Sequence, residues 1–137
     1  LIAEPVQASD RLFSVLDRVL ANSDVLFGIA DSAIYSGSNI RNILLASFRH
    51  NVPLVGISKS YVSAGALCAI FSTPEQLAAQ TAEAVVSFSR DRQLPAPQYP
   101  AEFSIEVNAQ VARSLGIALP PQEAIRLKMN PAGRGER

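Results

Sequence analysis

Two kinds of apolar segment alternate along this chain, and that alternation constrains its fold more than any other feature. Two short runs that are mostly apolar, residues 25–30 and 53–58, are separated by stretches in which apolar residues recur at helical spacing. A run that is apolar on both faces is typical of a buried parallel strand, and recurrence every three or four residues is typical of a helix. The pattern predicts an α/β fold: a doubly wound, mostly parallel sheet with helices on both faces.

The same patterns predict the other elements and their order. We expect strands at 1–6, 25–30, 53–58, 66–71 and 102–107, and helices at 10–22, 38–50, 74–90, 109–115 and after Pro120. Ser9 or Asp10 can cap the first helix. The helix at 74–90 has the clearest start, because Thr73 can cap it, Pro74 suits its first position and Gln76 can close a capping box. A short turn containing Gly65 and a proline-rich connector at 94–100 complete the prediction.

The side chains needed for catalysis or for nucleic-acid binding are scarce. The chain carries 12 basic and 12 acidic residues with no basic stripe, so no nucleic-acid partner is expected. Its single histidine and single cysteine argue against a dedicated zinc site, and we predict no cofactor. The segment from Gly56 to Ser60 approaches a nucleophile elbow, but it lacks the second glycine and no histidine follows Ser58. A receiver domain would need an acidic pair after its first strand, where only Glu4 stands. We therefore predict a protein that is not an enzyme.

Polar side chains follow two of the predicted strands at the points where those strands end. In open α/β sheets, ligands bind outside the carboxyl ends of the strands. The residues predicted to bind a ligand are therefore Asp31, Ser32, Ser58, Lys59, Ser60 and Tyr61. The alternative is that Asp31 and Ser32 only form hydrogen bonds within a turn and that Lys59 is simply exposed to solvent.

Several longer segments add a resemblance to a known family. These are residues 52–56, 61–67 with 72–76, 103–108 and 112–120. Together they resemble the ABC-transporter substrate-binding family, whose members have the type I periplasmic-binding-protein fold. The likeness extends from about Leu1 to Leu127, and it corresponds to the carboxy-terminal half of a typical member only.

The resemblance implies two lobes that close on a ligand about a hinge. Residues 1–128 would be the carboxy-terminal lobe, with 73–93 a helix that crosses to the other lobe and 129–137 a polar tail. Hinge crossings would lie at Phe71, Ser72 and Thr73 and near 94–100. Without its partner lobe, the helix at 74–90 would expose an apolar stripe, so we expect self-association through it.

The resemblance also implies a function. It implies binding of a small solute, an amino acid or a related compound, for delivery to the membrane permease of an ABC importer. The protein would then be periplasmic, or lipid-anchored outside the cytoplasm. Asp31 and Ser32 match a polar pair of the family, whereas Lys59 stands in a loop that often carries an aspartate, and a lysine suits an anionic ligand group better. A sensory domain of the same fold, feeding a signalling module, is the alternative.

Overall fold

The structure, a computed structural model, describes residues 1–6 and 12–129. Its sheet has four strands in the order β1-β2-β3-β4. Strand β1 pairs in parallel with β2 and β2 with β3, whereas β4 is antiparallel to β3. The strands are β1 (Leu26–Phe27), β2 (Leu54–Gly56), β3 (Cys68–Phe71) and β4 (Ser104–Val107). The predicted fold class, an α/β protein with a mostly parallel sheet and helices, is confirmed.

Six helices connect and flank these strands in the described part of the chain. They are α1 (Leu12–Leu20), α2 (Ile40–Arg49), α3 (Lys59–Ala64), α4 (Pro74–Asp91), α5 (Ala109–Ser114) and α6 (Gln122–Met129). Helix α5 begins at Asn108, whose side chain accepts hydrogen bonds from the amides of Gln110 and Val111. Such a cap satisfies N–H groups that have no partner within the helix, and it explains why the predicted start is correct.

The core lies between β2 and the two helices α1 and α2. Its largest fully buried side chains are Leu20, Ile43 and Leu54, one from each of these elements. Leu20 ends a helix whose apolar residues fall on one face, as the spacing predicts. The one buried polar side chain among the described residues, Ser47, donates its hydroxyl proton to the carbonyl of Val52. This core holds β1 and β2 in register, and it thereby positions the loops that follow them.

Helix α4 has no buried residue although it has 18 residues, and the short helix α6 has none either. The predicted capping box of α4 is present: the Thr73 hydroxyl accepts from the amide of Gln76, and the Gln76 side chain accepts from the amide of Thr73. The proline-rich connector lies along this helix. There the Gln80 side chain donates to the carbonyl of Tyr99 at 3.1 Å and accepts from the amide of Ala101 at 2.9 Å.

Some predicted elements differ from the structure. Residues 1–6 form no strand; Glu4 instead pairs with Arg18 of α1. Residues 59–64, for which the sequence predicts no helix, form helix α3. It is too short to show apolar periodicity, and only Val62 of its six residues is buried. Strands β1 and β2 are shorter than their apolar runs, and the predicted caps Ser9 and Asp10 lie outside the described residues, as do residues 130–137 of the tail.

Candidate functional site

The carboxyl ends of β1 and β2 bring the predicted ligand residues to one edge of the sheet. Leu26 pairs with Leu54 and Phe27 with Val55 in parallel register, so both strands end on the same side. Asp31 and Ser32 follow β1, and residues 58–61 follow β2. We call this edge, with the residues that follow β1 and β2, the rim. The juxtaposition agrees with the sequence, while contact of these residues with a ligand stays a prediction.

Asp31 organises the turn that follows β1. Its Oδ1 accepts hydrogen bonds from the amides of Ala33 at 2.9 Å and Ile34 at 3.0 Å, and its backbone carbonyl accepts from Tyr35 at 2.9 Å. This is the turn role named above as the alternative. It uses only half of the carboxylate: within the described residues, no hydrogen bond or ion pair reaches Oδ2. Ser32, the next residue, is exposed.

Two tyrosine rings lie at this edge, one from the turn after β1 and one from helix α3. The rings of Tyr35 and Tyr61 are tilted by 49° with their centroids 6.0 Å apart. The strand-end Gly56 makes room for the side chain of Tyr61, whereas a side chain at Gly28 would make only an ordinary contact with the ring of Tyr35. A Cβ on Gly56 would lie 2.5 Å from the Cβ of Tyr61, and a Cβ on Gly28 would lie 3.7 Å from the ring of Tyr35. Sequence reasoning missed Tyr35, although its position one turn beyond Asp31 was a signal that could have identified it.

The environment raises the pKa of both phenols. Burial raises the pKa of Tyr35 above its ordinary value, and the nearby Tyr61 and Asp31 raise that pKa further. Burial also raises the pKa of Tyr61. A negative charge near a phenol disfavours the phenolate. The backbone carbonyl of Asp31 also accepts from the amide of Tyr35, so the two residues lie in one turn. Asp31, Tyr35 and Tyr61 therefore form one polar and aromatic group.

The remaining rim residues belong to the start of α3 rather than to a loop. Ser58 precedes the helix, and its hydroxyl lies 2.7 Å from that of Ser60. The ammonium of Lys59 lies 3.9 Å from the carboxylate of Glu106 on β4. Because β4 is on the far side of β2 from β1, this lysine reaches away from Asp31. The structure thus separates Lys59 from the aromatic group, which the sequence could not foresee.

The predicted hinge residues lie where the chain leaves and re-enters the sheet. Phe71 ends β3, Ser72 donates its hydroxyl proton to the carbonyl of Glu102 at 2.8 Å, and Thr73 caps α4. The two connections between the sheet and α4 are therefore tied together by a hydrogen bond. Their role as a hinge remains a prediction.

The described residues contain no group of three or more His, Cys, Asp or Glu side chains that could hold a metal ion. None of their helices combines the length and the apolar character that crossing a membrane requires.

The chain is similar in fold to three solved structures, one of which is a substrate-binding protein. A ligand-free, open substrate-binding protein with adhesive properties from Clostridium difficile matches with a TM-score of 0.68 and 18% identity, over 89% of this chain and 41% of that one. An ABC domain from Streptococcus pneumoniae, solved in complex with L-Trp, matches with a TM-score of 0.60 and 19% identity, over 88% of this chain and 41% of that one.

A conserved domain protein from Vibrio cholerae matches with a TM-score of 0.58 and 24% identity, over 86% of this chain and 40% of that one. No protein-family model and no curated protein sequence matches the chain. This chain thus spans about two fifths of the length of each of these solved relatives. At such identities the likeness concerns the fold, and it confirms the one that the sequence suggests: this chain has the α/β fold of part of a substrate-binding protein.

Proposed function

We propose that this chain is one lobe of a solute-binding protein and that its rim is half of the ligand site. The observation that carries the proposal is the convergence of Asp31, Tyr35 and Tyr61 at the ends of two adjacent parallel strands. That is the place where open α/β sheets bind small molecules. The likeness in fold to a protein solved with L-Trp supports an amino acid or a related compound as the ligand.

Capture of this kind needs no bond to be made or broken, so we propose a carrier rather than an enzyme. Two lobes close on the solute, and the solute shifts the closing equilibrium through contacts that exist only in the closed state. Phe71, Ser72 and Thr73, with the connector at 94–100, would supply two of the crossings between lobes. The loaded protein would then deliver its solute to the permease of an ABC importer, outside the cytoplasm.

A thermal-shift screen tests the proposal on the longest natural polypeptide that contains this chain. A solute that binds only the native state stabilises it by RT ln(1 + [L]/Kd), so the unfolding temperature rises with the concentration of the solute. We expect a small solute, identified by native mass spectrometry of the purified protein or by the screen, to bind at the rim. Replacing Tyr61 by Leu should weaken its binding by about tenfold, since buried aromatic contacts dominate such sites.

Tyr99→Leu is the matched control, because Tyr99 is 93% exposed on the connector rather than at the rim. It should leave the affinity unchanged. Equal affinity in the wild type, the Tyr61 variant and the control would contradict the proposal, and so would the failure of every solute to stabilise the protein.

A further inference from the structure

The surface by which helix α4 meets the connector is largely polar. All residues of this helix are exposed except Gln76, Gln80 and Ala84, which are partly buried. They are spaced by four residues, so they form one narrow stripe along the helix. The stripe faces the connector, because Gln80 bonds to Tyr99 and Ala101 there. Two of the three residues that attach α4 are therefore glutamines.

Gln80 uses both groups of its side-chain amide on the connector. Its Nε2 donates to the carbonyl of Tyr99 at 3.1 Å, and its Oε1 accepts from the amide of Ala101 at 2.9 Å. Pairing with a carbonyl and an amide two residues apart fixes the backbone between them. Three of the seven residues at 94–100 are prolines, which have no N–H, so the connector has few backbone donors for other contacts.

Two further side-chain contacts join the start of α4 to the chain that returns from it. The Ser72 hydroxyl donates to the carbonyl of Glu102 at 2.8 Å. The Ser104 hydroxyl donates at 3.4 Å to Oε1 of Gln76, the atom that also accepts from the amide of Thr73 in the capping box. Water can replace each of these bonds at modest cost, since they are not in the core. The attachment can therefore open without unfolding the sheet.

We propose that Gln80 is a positioning residue that holds the connector against α4 and thereby fixes the angle between α4 and the sheet. Because α4 buries no residue, no packed core opposes its movement once the bonds of Gln80 break. While those bonds hold, the connector and α4 move as one body, and bending is confined to Ser72 and Thr73 and to the residues just before β4. The use of this bend in lobe closure rests on the proposed function, whereas the contact itself is a property of this chain.

Hydrogen exchange of the Ala101 amide, followed by NMR on the full chain, tests the contact directly. Gln80→Leu removes both hydrogen bonds on a helix that buries nothing. We expect the Ala101 amide to exchange about tenfold faster while the amides of β2 keep their rates, because local opening leaves the core amides protected. Gln98→Leu is the matched control: Gln98 lines the groove between α4 and the connector, and within the described residues its side chain has no hydrogen bond.

A distance measurement tests the angle of α4. Nitroxide labels on Ser63→Cys of α3 and Ser87→Cys of α4, in a Cys68→Ala background, report it by pulsed electron paramagnetic resonance. We expect a narrow distance distribution in the otherwise unchanged chain and in the Gln98 control, and a broad one with Gln80→Leu. If the Leu variant does not fold, Gln80→Glu serves in its place, because a carboxylate can still accept from Ala101 but cannot donate to Tyr99. It should broaden the distribution less.

Three results would overturn the inference. They are an unchanged Ala101 exchange rate in Gln80→Leu, an unchanged distance distribution, and an equal effect of Gln98→Leu. Acceleration of the β2 amides to the same extent would also contradict it, since Gln80 would then stabilise the whole fold and not position one helix. Solute binding is judged separately by the thermal-shift screen and the Tyr61→Leu variant, because none of these results concerns the rim.

Discussion

The helices α1 and α4 show how differently two amphipathic segments of one chain can be packed. Helix α1 buries Leu12, Leu16 and Leu20 against α2 and the sheet. Helix α4 is twice as long, with 18 residues against 9, yet it buries none of them. It is held instead by its capping box and by the hydrogen bonds of Gln80 to the connector. Capping residues and helical spacing are enough to form a helix in this chain. Burial of the helix depends in addition on a second element that packs against its apolar face.

The largest difference between the two regions should appear on truncating a leucine in each. Leu20 is 2% exposed and Leu77 is 45% exposed, and both lie in helices. Leu20→Ala should lower the free energy of unfolding by about 2–5 kcal/mol, because it removes buried methyl groups and leaves a cavity. Leu77→Ala should change it by about 0.5 kcal/mol or less. Urea denaturation of both variants measures the difference, and equal losses would show that α4 is packed in solution.

A smaller effect should come from the strand end that supports the rim. Gly56→Ala places a Cβ 2.5 Å from the Cβ of Tyr61, so the ring must move. We expect a loss of about 1–3 kcal/mol, as for other overpacking changes. Gly37→Ala is the control, since a Cβ there meets nothing within 4 Å. Thermal unfolding measures both, and the ring-proton shifts of Tyr61 should change in the first variant only. A neutral Gly56→Ala would show that the ring does not lie on this strand.

The exposed stripe of α4 should affect association rather than stability. We propose that the chain self-associates through this helix, because Leu77, Val85 and Phe88 lie on one side of it and are exposed. Val85→Asp should weaken association about tenfold by placing a charge in the apolar contact. Val86→Asp, 100° further around the helix, is the matched control. Sedimentation velocity reports both, and a monomeric wild-type chain would contradict the prediction.

Much of the fold follows from local patterns. The Thr73, Pro74 and Gln76 signal places the start of α4 correctly, and Asn108 does the same for α5. Residues 1–6 form no strand, although their sequence is typical of one. A short apolar run indicates that a segment can be buried, but it does not show that a neighbouring strand is present to pair with it. Helix α3 escaped detection because six residues are too few to show a period.

Some features of the candidate site likewise follow from the sequence, and others depend on the tertiary structure. The sequence by itself determined that Asp31 and Tyr61 follow mostly apolar strand segments, and parallel pairing then requires both to reach one edge. The predicted burial of the first segment is wrong, because Phe27 of β1 is exposed. Only the tertiary structure decided that Tyr35 joins them and that Lys59 lies beside Glu106 instead. The physical reason is range: caps and strand ends depend on neighbours a few residues away, whereas the pairing of Lys59 with Glu106 joins residues 47 positions apart and depends on the order of the strands.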